Sequence, residues 1–517
     1  MVEKIINIEL SQKSQHIINI IASVLNMFVT TMISFVLSPY IVKTLGVEAN
    51  GFISLANSFI TYMTLVRTAL NSMASRFLML AYYKGEQKKF EQYYSSLFLA
   101  DLILAGAFAI IGGSCVLYLE NILSIPDELV RDVKILFILL FLNFIFATVI
   151  TAWNTTTYIK NKLYLDSVTS SMNSAIRFIM IIALFVSLEP KLYFVGIATL
   201  IGGLVGYTLR YFYKRYLFPE LRVSVNKFSC KAVKELLFSG VWNSISSLGN
   251  ILTSSLDLLV TNLYVSATAM GILSLSKVMP VFVEGLISSI ASVFGPTLFM
   301  EYAKDDKESI RKTIIQSSKL ITVFASLPLG FLLVYGKEFF KLWQPTQNEH
   351  LLYELAAIAI LGRIFFMGKD SVNYIFTVVN KVRISAIITL LTGLVSIGMT
   401  FITLKYTELG IYAVALVSVI CVTLKNIIFI YPYAAKVLNL KWYVFFETSI
   451  DSAKSCLIVC LIGLLVRRII VGDSWVSLII AGVVLGLVSL IVMFTIVLTN
   501  SERKIILNMI KRRKNTL

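Results

Sequence analysis

Long apolar stretches follow one another along the chain with short polar punctuation. Fourteen can be read, at roughly 17–42, 51–80, 94–118, 132–157, 165–188, 191–213, 235–264, 271–300, 310–335, 351–380, 384–404, 409–433, 451–470 and 474–499. Crossing about 30 Å of hydrocarbon takes about 20 helical residues, so each segment is long enough to span. Several exceed 25 residues and must tilt, kink or extend beyond the bilayer. Pro280 and Pro328 fall inside spans, where each removes a backbone hydrogen bond and bends the helix. The pattern predicts an all-α integral membrane protein of about 14 transmembrane helices.

A second periodicity lies inside four of these segments. Span 1 carries Asn19, Ser23, Asn26, Thr30 and Ser34 on one narrow helical face, and span 2 carries Asn57, Thr61, Thr64, Thr68, Asn71 and Ser75. Span 7 carries Asn243, Ser247, Asn250, Ser254, Asp257 and Thr261; span 8 follows with Lys277, Glu284, Ser288 and Ser292. Lipid needs no ordered polar face, so such stripes turn toward something else. An aqueous cleft is one destination. Hydrogen bonds between helices are the other.

The polar faces recur at matching places. LGVEANGFISLANSF (45–59) joins spans 1 and 2, and LYVSATAMGILSLSKVM (263–279) joins spans 7 and 8 about 220 residues later. Six spans separate the copies, an even number, so both halves keep one orientation: a parallel repeat about an axis along the membrane normal. The expected organisation is an N-terminal lobe (1–213, spans 1–6), a cytoplasmic inter-lobe linker (214–234) and a C-terminal lobe (235–440, spans 7–12). A two-span segment with a basic cytoplasmic tail (441–517) completes it.

Composition removes the soluble alternatives. Of 517 residues 57% are hydrophobic and 15% charged, too apolar for an ordinary cytosolic enzyme. Lys and Arg number 46 against 29 Asp and Glu, net +17. In a soluble chain that excess would suggest nucleic acid; here loops and a charged interior absorb it, and no nucleic-acid partner is expected. With the N-terminus in the cytoplasm, inner segments hold 27 Lys and Arg and outer ones 9, which places both termini inside. Residues 1–16 lack the layout of a cleaved signal peptide. Five Cys and two His, His16 and His350, leave little scope for a metal site. No inner loop has room for a nucleotide-binding domain and no G-x-x-x-x-G-K-[ST] occurs, which excludes a one-chain ATP-driven pump.

The remaining 10 basic residues lie within spans. Arg67, Arg177 and Arg363 sit near span centres, where an unpaired arginine costs about 2.5–3.5 kcal/mol. Lys277, Lys319, Lys369 and Lys425 are shallower, and Arg76, Arg210 and Lys454 are close enough to inner ends to snorkel. Acids in the spans are fewer: Asp101, Asp257, Glu284 and Asp370. Arg363 with Asp370 and Lys277 with Glu284 are each i, i+7 and share a face, which suggests pairing. The interior stays net positive, suited to an anion, and arginine's planar fork of donors matches phosphate. The candidate substrate-binding residues are Arg67, Arg177, Lys277 and Arg363, with Asn26, Asn57, Asn71 and Asn250. Asp257, Glu284 and Asp370 are candidates for proton or sodium coupling or for charge pairing, and no other cofactor is expected.

The motif LGVEANGFISLANSF after a polar first helix, its repeat before span 8 and the 12+2 layout resemble the Wzx-like polysaccharide flippases of the MOP (multidrug/oligosaccharidyl-lipid/polysaccharide) exporter superfamily, over essentially residues 15–440. The resemblance implies a two-lobed bundle alternating between inward- and outward-open states in the bacterial cytoplasmic membrane. It also implies undecaprenyl pyrophosphate carrying an oligosaccharide of O-antigen or capsule type as substrate, and a polysaccharide polymerase and chain-length regulator as partners. The family's cationic lumen corresponds by span position to Arg67, Arg177, Lys277 and Arg363. Two extra C-terminal spans also occur in lipid II flippases of this superfamily, and a MATE-like multidrug or cation antiporter is a further alternative. An enzyme that polymerises or ligates sugar chains would use a sizeable outer loop; here these loops are short and His350 stands alone.

Overall fold

The computed structural model describes residues 12–304, 306–379, 381–497 and 503. The basic tail expected at the C-terminus lies, apart from Arg503, outside the described residues. Among those described there is helix and no strand. The main helices are α1 (Gln12–Leu45), α2 (Val47–Asn71), α3 (Ala74–Tyr83), α4 (Gln87–Leu117), α5 (Val130–Val149), α6 (Thr151–Ile159), α7 (Leu163–Ser187), α8 (Tyr193–Leu217), α9 (Cys230–Asn250) and α10 (Asp257–Tyr264). They continue with α11 (Ala267–Ser276), α12 (Val278–Ala303), α13 (Lys307–Trp343), α14 (Glu349–Ile364), α15 (Lys369–Val378), α16 (Val382–Tyr406), α17 (Ile411–Lys425), α18 (Tyr431–Val437), α19 (Phe446–Arg467) and α20 (Trp475–Ile496).

Among the described residues eleven spans are long and apolar enough to cross a membrane, or twelve if α14 and α15, bent by 53°, make one. The count of fourteen is therefore not reached by hydropathy. The two segments that fall short, 51–80 and 235–264, are helical in the structure and are two of those with dense polar stripes. Their polarity is the reason: side chains that serve an interior lower the apolar average.

Contacts divide the chain into two compact units, Met1–Gly271 and Ile272–Leu517. In the first, α7 and α8 pack on each other, α8 and α4 flank α5, and α2 lies along α9. A core of Leu70, Ala74, Leu78, Phe90, Tyr94, Leu97, Ile159 and Phe218 closes one end. The segment from α8 to α9 joins that end. Ser224 and Ser229 donate their backbone N–H groups to the hydroxyls of Ser95 (3.2 Å) and Ser96 (2.9 Å), both wholly buried on α4.

The repeated motif explains itself here. Gly46, at φ 91°, turns the chain between α1 and α2, a conformation glycine adopts at little cost. Thr268 donates to Glu48 at 2.8 Å, and a Cβ on Gly51 would lie 2.9 Å from the Gly271 Cα. Gly51 and Gly271 are the matching glycines of the two words, 220 positions apart.

In the second unit the 37-residue α13 is the spine. It runs through Pro328 unbroken, whereas Pro280 sits in the first turn of α12, and the break at Lys277 falls directly after Ser276, whose i−4 carbonyl the proline ring would meet in a continuous helix. Helix α19 lies along α13: Gly330 faces Val459, Gly463 faces Val334, and the Thr322 and Ser452 hydroxyls bond at 2.9 Å. Such small-residue seams and hydroxyl bonds hold helices together where lipid offers no hydrophobic drive. Tyr335 donates to the Ile470 carbonyl at 2.9 Å, and Arg467 pairs with Glu338, so the chain entering α20 is tied to the same spine.

Candidate functional site

The span 1 stripe meets α7. Asn19 donates to Asn161 at 3.0 Å and accepts from the Tyr164 N–H, Ser23 and Ser167 share a hydrogen bond, and Ser171 donates to Asn26 Oδ1 at 2.9 Å. These are successive rungs between two parallel helices, so Asn26 is engaged in interhelical bonding. Further along α7 comes Arg177, half-buried, its Nε secluded and without a hydrogen-bond partner. Among the described residues no acid pairs with it.

Helix α2 runs antiparallel to α9. A Cβ on Gly240 would lie 2.2 Å from the Ala69 carbonyl, and Ser244 donates to the Leu65 carbonyl at 2.8 Å. Farther along, a π-helical turn (Ile251–Ser255) displaces the backbone between α9 and α10, and Tyr62 donates to the Ser255 carbonyl at 2.8 Å. Such turns often mark functional sites. Asn57 and Asn250 are exposed on these helices; Asn57 donates to its own helix at Ile53. Asp257, one residue beyond the π turn's cap, is buried and acts electrostatically on Tyr62.

Arg67 stands deeper on α2. Its guanidinium lies 5.0 Å from the centre of the Phe144 ring, a cation–π contact that partly offsets lost hydration. One turn on, Asn71 donates to Asp101 at 2.8 Å. Arg210 faces Asp166 at 3.7 Å, and Asp166 accepts from Thr157. The arginine expected to snorkel is thus partnered inside the unit.

The second unit gathers charge around the break between α14 and α15. Arg363, at the end of α14, pairs with Glu284 on α12, whereas Asp370, on the far side of the break, accepts from Ser288 at 3.0 Å. The expected same-helix pair of Arg363 with Asp370 gives way to this cross-helix pair because the 53° bend interrupts the i, i+7 register. Lys277 occupies the break before α12 and is half-buried. Lys369 interacts with Arg363, Asp370 and Glu284, and Lys425 on α17 with Lys369 and Asp370. The cluster thus holds three cations and two carboxylates. Beside it opens a cavity of about 270 Å³ lined by Ser288, Ala291, Asp370, Asn373, Tyr374 and Thr377.

A family profile described as "Polysaccharide biosynthesis protein" matches residues 17–301, more than half of the chain. The chain belongs to that family. It is 26% identical over 503 residues to EpsK of Bacillus subtilis (strain 168), described as an uncharacterized membrane protein, covering 97% of this chain and 99% of EpsK. Among solved structures, the lipid II flippase MurJ in an inward closed conformation superposes with a TM-score of 0.66 at 14% identity, covering 92% of this chain and 99% of MurJ. An inward-facing MATE family multidrug transporter of the MOP superfamily gives 0.64 at 14% identity, over 84% of this chain and 96% of the transporter. The multidrug transporter DinF-BH gives 0.65 at 14% identity, over 84% and 98%. The chain is a multi-pass membrane protein of the polysaccharide biosynthesis family, and its fold is one shared with these MOP superfamily transporters and flippases.

Of the sequence-derived candidates, Arg363, Glu284 and Asp370 are brought into one cluster, and Arg67 and Asn71 into another with Asp101. Lys369 and Lys425 complete the first cluster. Both are legible as intramembrane charges, yet only the fold shows that they converge.

Proposed function

We propose that the protein moves an undecaprenyl-pyrophosphate-linked oligosaccharide from the inner to the outer leaflet of a bacterial cytoplasmic membrane by alternating access, with both termini inside. The observation that carries this reading is Arg177. A half-buried guanidinium in the middle of α7, without an acid among the described residues, is a standing cost of about 2.5–3.5 kcal/mol unless an anion visits it. A pyrophosphate accepts the bidentate donors that no protein carboxylate takes up there. The cluster around Arg363 supports the same reading, since it has more cations than carboxylates.

Arg67, Arg177 and Arg363 would hold the pyrophosphate or acidic sugars in turn, Asn57 and Asn250 would bond sugar hydroxyls, and the prenyl tail would remain in lipid. Asp257, Glu284 and Asp370 would couple a proton or sodium ion to the cycle. The lipid II flippase likeness covers 92% of the chain, against 84% for two of the multidrug transporters, which favours a lipid-linked cargo over a drug. A polymerase and a chain-length regulator would act on the exported unit.

Single alanine substitutions at Arg67, Arg177 and Arg363, read by polymer export and by abundance in the membrane, test the reading. Export should be lost, with abundance unchanged for Arg67→Ala and Arg177→Ala and export per molecule compared for Arg363→Ala, and Arg177→Lys should rescue only in part because it keeps charge without the fork. Normal export in all three alanine variants would remove these residues from transport.

A further inference from the structure

Asp101 on α4 is wholly buried, and Asn71 donates to its Oδ1 at 2.8 Å. Among the described residues its Oδ2 has no partner, and the Oδ1 of the same Asn71, also buried, has none. An ionised carboxylate only accepts, and an amide oxygen only accepts, so these two orphans cannot satisfy each other. One hydrogen resolves both. We infer that Asp101 is a proton-binding site: its carboxyl is protonated in this conformation, and Oδ2–H donates to Asn71 Oδ1, closing a two-bond ring between α2 and α4.

The surroundings single out one charged neighbour. Arg67, a turn before Asn71, is the charged group that acts on Asp101, and it lies over Phe144 rather than in an ion pair. Tyr207 on α8 faces Arg67 in turn. Of the other helices against α4, α3 carries an exposed Arg76, α6 has no charge, α5 carries Arg131, Asp132 and Lys134 near its start, and α9 carries exposed Lys231 and Lys234 with Glu235 near its own start. Toward the beginning of α4, Tyr93 donates to Glu235 of α9 and Lys227 pairs with Glu91, about 12 to 15 Å along the helix.

This arrangement couples a proton to a guanidinium. When Asp101 releases its proton to solvent, the carboxylate left behind attracts Arg67. When the proton returns, Arg67 loses its counter-charge and is available to an anion. Proton uptake and anion binding at Arg67 then strengthen each other by the same factor. That second step rests on the pyrophosphate reading above; the proton site does not.

The two are tested separately on the purified full-length protein. Infrared spectra of the wild type at neutral pH should contain the C=O stretch of a protonated carboxyl that disappears in Asp101→Asn, whose amide can close the same ring. Identical spectra overturn the proton site. Farnesyl pyrophosphate serves as the probe for the coupling. Its affinity for the wild type should fall by up to about tenfold per pH unit once the infrared band titrates away, and D101N should bind it independently of pH. A titrating band with a pH-independent wild-type affinity overturns the coupling. A band with no probe binding by either protein sustains the proton site and counts against the pyrophosphate reading.

Discussion

Alanine at Gly271 tests the contact between the repeated motifs. Its methyl group would lie 2.4 Å from the Val47 carbonyl oxygen and 2.8 Å from the carbon, where ordinary contact begins at 3.4 Å. The two backbones must therefore separate by about 1 Å. The obstruction is main chain in the first turn of α2 and cannot rotate away, so the overpacking cost of about 1–3 kcal/mol applies. Separation also strains the 2.8 Å Thr268–Glu48 bond, worth about 0.6 kcal/mol between membrane helices. Replacing glycine within a helix returns up to about 1 kcal/mol of propensity. The net expectation is a loss of about 1–2.5 kcal/mol. Thermal unfolding in detergent, compared with Gly398→Ala, reads it: nothing lies within 4 Å of a Cβ at Gly398, so that variant should melt at or slightly above wild type. Gly51→Ala presses on the same backbone, at 2.9 Å from the Gly271 Cα, so the double variant should lose less than the sum of the singles. A G271A protein as stable as wild type, or a strictly additive double variant, would refute the contact.

Two further outcomes follow from other parts of the molecule. Arg363→Ala leaves Glu284 unpartnered and should destabilise by about 1–3 kcal/mol, the lower part of the range because Glu284 is partly exposed; the exchanged pair Arg363→Glu with Glu284→Arg should recover most of it in the same melting assay, and no recovery would deny the pair. Replacing Ser95 and Ser96 together by alanine removes the acceptors of the Ser224 and Ser229 N–H groups, so limited proteolysis between 218 and 229 should accelerate; an unchanged cleavage rate would show that the hydroxyls do not anchor the segment.

How much was legible depends on whether the determining partner lay nearby in sequence. Among the described residues hydropathy finds eleven apolar spans because each carries its own signal over about 20 residues. Gly51 and Gly271 could be read in matching words, but their close approach could not. The span 1 stripe was visible as polar, but a wheel drawn on one helix does not name its neighbour. Ser167 and Ser171, about 145 positions away, supply the partners. The Arg363–Asp370 expectation failed to become a contact because it assumed a continuous helix through Phe365–Gly368, where the chain instead bends. Asp101 announces nothing by spacing. Its meaning comes from Asn71, thirty positions earlier on a different helix.

The seam at Gly51 and Gly271 also narrows what drift can do to the chain. A side chain at either position meets main chain, so a change there needs a compensating shift of the opposite backbone. The Thr268–Glu48 bond beside it carries no such limit, because its partners are side chains that can be exchanged together.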